Sequence, residues 1–198
     1  SRLVRFLDTA VPPRLGRSFR WLLATSVVNN FGDGVALAAG PLLIASQTRD
    51  PFLVSLAVFS SWLPNLLLSV PAGAIADRVD RRTMTILTQS ALALQAAALA
   101  VLNITGAISI EWIYGLTLLL GVVSAFDNPA RRTFVTELVP EDQITNVVSL
   151  NTAVMTGSRI FGPALAALLI GTVGTAVLFT INAVSFVAIL VPLMLIDR

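Results

Sequence analysis

The chain has 198 residues, of which 56% are hydrophobic and 12% charged, with a formal net charge of +2. A soluble domain carries about 25% charged residues, so this composition, with a mean hydropathy of +0.84, belongs to a membrane protein. The absence of Cys and His excludes disulfides, thiolate chemistry and the usual zinc or haem ligation; no cofactor, metal site or nucleic-acid partner is expected, and no nucleotide-binding loop appears.

Residues 1–19 precede the first long apolar run and carry Arg2, Arg5, Arg14 and Arg17. Their first ten positions read equally as a short interfacial helix, with Leu3, Phe6 and Leu7 in the headgroups, or as a basic tail. No signal-peptide pattern is present. Spanning a bilayer takes roughly 20 apolar residues. Residues 20–198 contain six such runs, at about 20–46, 52–76, 83–103, 111–138, 146–170 and 175–196. No strand-like alternation competes with them, and lipid admits only helices or closed barrels. The expected fold is an all-α membrane protein of six transmembrane helices.

Helix 1 holds Asp33, flanked by Gly32 and Gly34, with Asn29 and Asn30 one turn earlier. Burying an unpaired charge in lipid costs at least ~2.5–3.5 kcal/mol, so Asp33 must face a partner or a wet cavity. The asparagines can line that cavity or join helices by hydrogen bonds. Helices 2 and 3 are joined by "GAIADRVDRR", in which Asp77, Arg78, Asp80, Arg81 and Arg82 crowd into a link of about six residues. Such a link forces an antiparallel pair. Gly73 permits close approach of another helix, and Asp77 can meet a helix N-terminus. Helix 4 carries Asp127-Asn128-Pro129-Ala130-Arg131-Arg132 near its end. Pro129 can open a new helical segment capped by Asp127 or Asn128, and Asp127 is also a cavity candidate. Helix 5 carries Arg159 deep in its run, and Ser158, Gly162 and Ala166 form a small-residue stripe beside Pro163.

Most arginines fall on one side: those before helix 1, Arg78, Arg81 and Arg82, Arg131 and Arg132, and Arg198; Arg49 alone lies opposite. The positive-inside rule therefore places both termini in the cytoplasm. Helices 1 and 5 then run outward together. Asp33 is 13 positions past Arg20, and Arg159 is 13 past Asn146. At 1.5 Å per residue both lie roughly 20 Å from the inner ends of their helices, so the two can share a depth and pair.

The pattern Gly73-x-x-x-Asp77-Arg78-x-x-Arg81-Arg82, placed after the second of six helices, resembles the signature loop of the major facilitator superfamily. Asp80 stands where that family often has Gly. Three further stretches, "NNFGDGVALAAGPLL", "NPARRTFVTELVPEDQITNVVSLN" and "INAVSF", resemble the bacterial exporters grouped with the enterobactin exporter as transmembrane secretion effectors. The resemblance covers the whole chain but only half a transporter. It implies the amino-terminal half of a major facilitator fold, made of two inverted three-helix repeats, in the plasma (inner) membrane of a bacterium. Its partners would be the lipid bilayer, protons, a small-molecule substrate and a carboxy-terminal six-helix half.

Ser158, Gly162, Pro163 and Ala166 resemble the family's antiporter motif, which implies movable packing against the other half; ordinary packing within this half is the alternative. Asp33 is the candidate to carry or sense the coupling proton, with Arg159 its candidate pair; a permanent latch is the alternative. The common helix-4 arginine motif of the superfamily is not evident. A faint internal echo relates Val27-Val28-Asn29-Asn30-Phe31 before Asp33 to Val122-Val123-Ser124-Ala125-Phe126 before Asp127. The expected function is half of a proton-coupled exporter of small amphipathic molecules, of the drug or siderophore class, working by alternating access. The alternative is a self-contained six-helix scaffold or regulatory subunit. No enzymatic constellation is present.

Overall fold

The computed structural model describes the backbone of residues 16–137 and 141–195, and side chains from residue 27 onward except 132, 134–137, 143, 189, 192, 193 and 195. The segment expected to lie at the interface, residues 1–10, falls outside them. Among the described residues six helices run in chain order: α1 (Gly16–Gln47), α2 (Pro51–Ala76), α3 (Arg81–Ile104), α4 (Ile110–Glu137), α5 (Ile144–Val173) and α6 (Thr175–Leu195), with a 3-10 turn at Glu141–Gln143 before α5. The first five are long and apolar enough to cross a membrane, and α6 contributes a shorter apolar stretch over Thr175–Ala188.

Local chemistry sets the helix ends. Asp50 caps α2 by accepting from the Phe52 amide at 2.9 Å, with Pro51 opening the helix. Asp80 caps α3, its carboxylate accepting from the Thr83 amide at 3.0 Å and the Thr83 hydroxyl at 2.8 Å. Between α5 and α6 the chain turns on Gly174 alone, at φ +86°. Its amide donates to Leu169 O at 3.1 Å, the left-handed closure that favours glycine. Pro129 does not divide helix 4: α4 is continuous through it to Glu137. The expectation of a fresh segment capped by Asp127 or Asn128 is therefore corrected, because the side chain of Asp127 is engaged across the bundle.

The principal helix pairs are α1 with α5, α2 with α4 and α3 with α6. Exchanging α1 with α4, α2 with α5 and α3 with α6 maps this set of pairs onto itself, which is the signature of two inverted repeats. The close contacts obey the same exchange. A Cβ on Gly34 of α1 would overlap the carbonyl oxygen of Ser158 on α5; a Cβ on Gly121 of α4 would sit 2.6 Å from the carbonyl oxygen of Ser61 on α2. Bare glycine surfaces let these backbones meet where lipid offers no hydrophobic drive for helix association. On α3, buried positions Met84, Thr85, Thr88, Gln89, Leu92, Ala93, Ala96, Leu99 and Ala100 repeat at helical spacing and mark its inner face.

The interior is layered along the helix axes. Val35, Ala39, Leu43, Leu99, Ile113, Leu178 and Phe179 fill one end. Ala36, Leu92, Ala96, Leu120 and Phe186 form the next layer. Ala76, Met84 and Ala130 close the end near the α2–α3 link. Between the last two layers lies a polar level built from α1, α3 and α4.

Candidate functional site

Five side chains bring charge or strong hydrogen bonding to that polar level. Arg131 of α4 donates from Nη2 to Asp33 Oδ2 of α1 at 2.5 Å. One turn back on its own helix, Asp127 Oδ2 lies 3.4 Å from Arg131 Nε. The other oxygen of Asp127 accepts from the Thr88 hydroxyl at 2.6 Å and from Gln89 Nε2 at 3.0 Å, both on α3. One guanidinium thus sits between two carboxylates, and three helices meet through them. A buried pair stripped of one partner costs about 3–5 kcal/mol, so Arg131 is what permits both acids at this depth.

The two acids differ in access. The Asp127 side chain is 2% exposed and both of its oxygens are engaged, whereas the Asp33 side chain is 30% exposed and shares one oxygen with Arg131. Asn29, one turn before Asp33, is fully buried, and neither of its amide atoms has a hydrogen-bond partner among the described residues. Gln89 Oε1 and Arg131 Nη1 are likewise buried without partners. Asn30 is buried beside them.

Arg159 does not take the place expected for it beside Asp33. Gly34 packs on Ser158 and Gly162, which sets residues 33 and 159 at one level of the α1–α5 pair. The arginine nonetheless turns to α2, its guanidinium carbon 5.7 Å from the centre of the Trp62 ring. Arg131 holds Asp33 instead. By sequence it falls with the inner-side arginines, because "NPARR" reads as a helix end. The available signal was the four-residue spacing from Asp127 to Arg131, which places the two on one helix face.

Ser158, Gly162 and Ala166 are all buried. A Cβ on Gly162 would lie 2.9 Å from the Gly34 Cα. The stripe therefore packs on α1 within this chain, which corrects the reading that it packs against another half. Pro163 lies at its edge, facing the space shared by α1, α2 and α5.

In the link between α2 and α3, Asp77 is the C-cap residue of α2, its amide donating to Gly73 O at 3.0 Å. Its exposed carboxylate makes no hydrogen bond or ion pair with a described residue. Beyond its own stretch of helix, no atom of a described residue would lie within 4 Å of a Cβ on Gly73. Arg78 is exposed. Arg82 donates to the Met194 carbonyl at 3.1 Å, placing a cation on the last turn of α6, where unsatisfied carbonyls favour it. Arg81 opens α3 beside it.

The sequence model of the family described as transmembrane secretion effector matches residues 9–198. The chain belongs to this family. It is 32% identical over 169 residues to an uncharacterised MFS-type transporter, YfiS, of Bacillus subtilis, covering 83% of the chain and 39% of that protein. It is 34% identical over 176 residues to the staphyloferrin A transporter of Staphylococcus aureus, covering 88% and 44%. It is 26% identical over 159 residues to the multidrug efflux pump Tap of Mycolicibacterium fortuitum, covering 77% and 39%. As a transmembrane secretion effector the chain is a major facilitator protein, and it spans about two fifths of the length of the relatives it matches.

Proposed function

We propose that the chain is the amino-terminal half of a proton-coupled exporter of small amphipathic molecules, with Asp33 as the proton-carrying group. The observation that carries this reading is the Asp33–Arg131–Asp127 network. With all three groups ionised it holds a net charge of −1, an unfavourable sum in low dielectric. One proton on Asp33 leaves a neutral Asp127–Arg131 pair, anchored to α3 through Thr88 and Gln89. The same proton removes the charge attraction joining α1 to α4. Access favours Asp33 as the proton-carrying group, since its side chain is 30% exposed. Relatives named for efflux support the export direction, and the staphyloferrin A and multidrug names support small amphipathic substrates. The positive-inside rule supports placing the α2–α3 link and both termini in the cytoplasm.

The test uses the full-length transporter in liposomes, with a set of fluorescent amphipathic dyes of negative, zero and positive charge. In Asp33→Asn, transport driven by a proton gradient falls to background, while exchange down the dye's own gradient continues. Full gradient dependence in that variant removes Asp33 from coupling.

A further inference from the structure

Arg159 is an intramembrane charge outside the hydrogen-bonded network between α1 and α4, which it reaches only through its field at Asp33. It sits at the midpoint of the 30-residue helix α5, about 22 Å from either end at 1.5 Å per residue. Within a hydrocarbon core of ~30 Å, this is too deep for one side chain to reach a headgroup phosphate. A charge at such a depth faces a partner or a wet cavity. Arg159 makes no hydrogen bond or ion pair with a described residue. What it does touch is Trp62, and the two look into a cleft of about 380 Å³ whose walls include Gly34, Pro41, Val58 and Pro163.

That arrangement is apolar walls, one aromatic face and one cation with its hydrogen-bonding edge uncommitted. A guanidinium binds a carboxylate through paired N–H donors, and its own contact with the indole holds it in place. Small-molecule sites combine a mostly apolar lining with a few polar groups that fix orientation, in volumes from about 300 Å³ upward. A cationic ligand would meet Arg159 as a like charge. A neutral one would leave the arginine without an anion.

We propose that Arg159 and Trp62 form a binding subsite for an amphipathic anion, an organic carboxylate with an aromatic or aliphatic body, in the cleft between α1, α2 and α5. As a substrate site this rests on the transporter reading given above; as a binding site it does not. Arg159 holds the carboxylate and Trp62 packs on the body of the ligand.

Equilibrium binding to the purified full-length protein tests it with matched probes, 1-naphthoate, 1-naphthol and 1-naphthylmethylamine. The wild type binds naphthoate at least about tenfold more tightly than either other probe, the size of change expected from one charge-assisted contact. Arg159→Gln removes that preference and leaves naphthol binding unchanged, Arg159→Lys keeps part of it, and Trp62→Ala weakens all three probes together. Equal binding of the three probes to the wild type overturns the proposal and needs no variant to fold. That is also the result if a carboxylate elsewhere in the protein already holds Arg159. Loss of proton-driven flux in Asp33→Asn is a separate readout. A protein that transports dyes under a proton gradient but shows no naphthoate preference sinks the subsite alone. One that prefers naphthoate without proton coupling sinks the coupling alone.

Discussion

Gly34 and Gly73 are both glycines within helices, yet only one has backbone against it. At Gly34 an added methyl meets the Ser158 carbonyl, and the nearest atoms are backbone that cannot swing away; at Gly73 no described residue beyond its own stretch of helix comes within 4 Å. Gly34→Ala is therefore expected to destabilise the bundle by ~1–3 kcal/mol, the usual cost of overpacking. Gly73→Ala is expected to leave stability unchanged or raise it by up to ~1 kcal/mol, since alanine is the better helix former. Thermal unfolding in detergent separates the two, and an unaltered midpoint for Gly34→Ala counts against the backbone contact between α1 and α5. If Gly73→Ala folds well but no longer transports, its glycine serves a contact outside this chain. The same scale shows where sequence reasoning stopped. Asp33 is conspicuous as a lone acid in an apolar run, but which arginine meets it depends on the rotation of α1, α4 and α5 about their axes. That rotation follows from glycine contacts between backbones, which hydropathy does not register. Sequence spacing therefore pairs Asp33 with Arg159, where the structure pairs it with Arg131.

The helices themselves were legible because each is a long apolar run bounded by turn-forming or charged residues, and their ends fall within a few residues of those runs. The exceptions have local causes. α1 begins at Gly16 and α5 at Ile144, earlier than apolarity suggests, because polar residues outside the hydrocarbon still prolong a helix. Pro129 reads as a boundary, yet α4 passes through it, because membrane helices tolerate an internal proline. Asp80 is the position that departs from the family pattern, and its cap on Thr83 accounts for it. Glycine is a tolerable N-cap and alanine a poor one. Asp80→Ala is expected to cost ~1 kcal/mol and Asp80→Gly only a few tenths. Equal losses in thermal midpoint for the two variants would show that the cap contributes nothing to α3.

For the molecule as a whole, the decisive fact is that each principal pair joins one helix of α1–α3 to one of α4–α6. The polar links cross in the same way: Asp33 to Arg131, Arg82 to Met194, Thr175 to Asn103 and Trp62 to Arg159. Neither three-helix repeat buries its own inner face, so the six helices form one interlocked body. Alternating access by rocking requires such a body to move as a unit. A disulfide can test this, because the chain has no cysteine of its own. A Cβ on Gly32 of α1 would lie 3.8 Å from the Ser185 Cβ of α6, inside the ~3.5–4.5 Å range of disulfides. Asn182 Oδ1, 3.1 Å from that same position, belongs to a side chain that can turn aside. The double variant Gly32→Cys with Ser185→Cys is expected to cross-link under mild oxidation, and the oxidised protein is expected to transport at the rate of the reduced one. Failure to cross-link contradicts the packing of α1 on α6. A cross-link that forms and halts transport, reversibly on reduction, means that α1 and α6 slide past each other during the cycle and that the half does not move as one body.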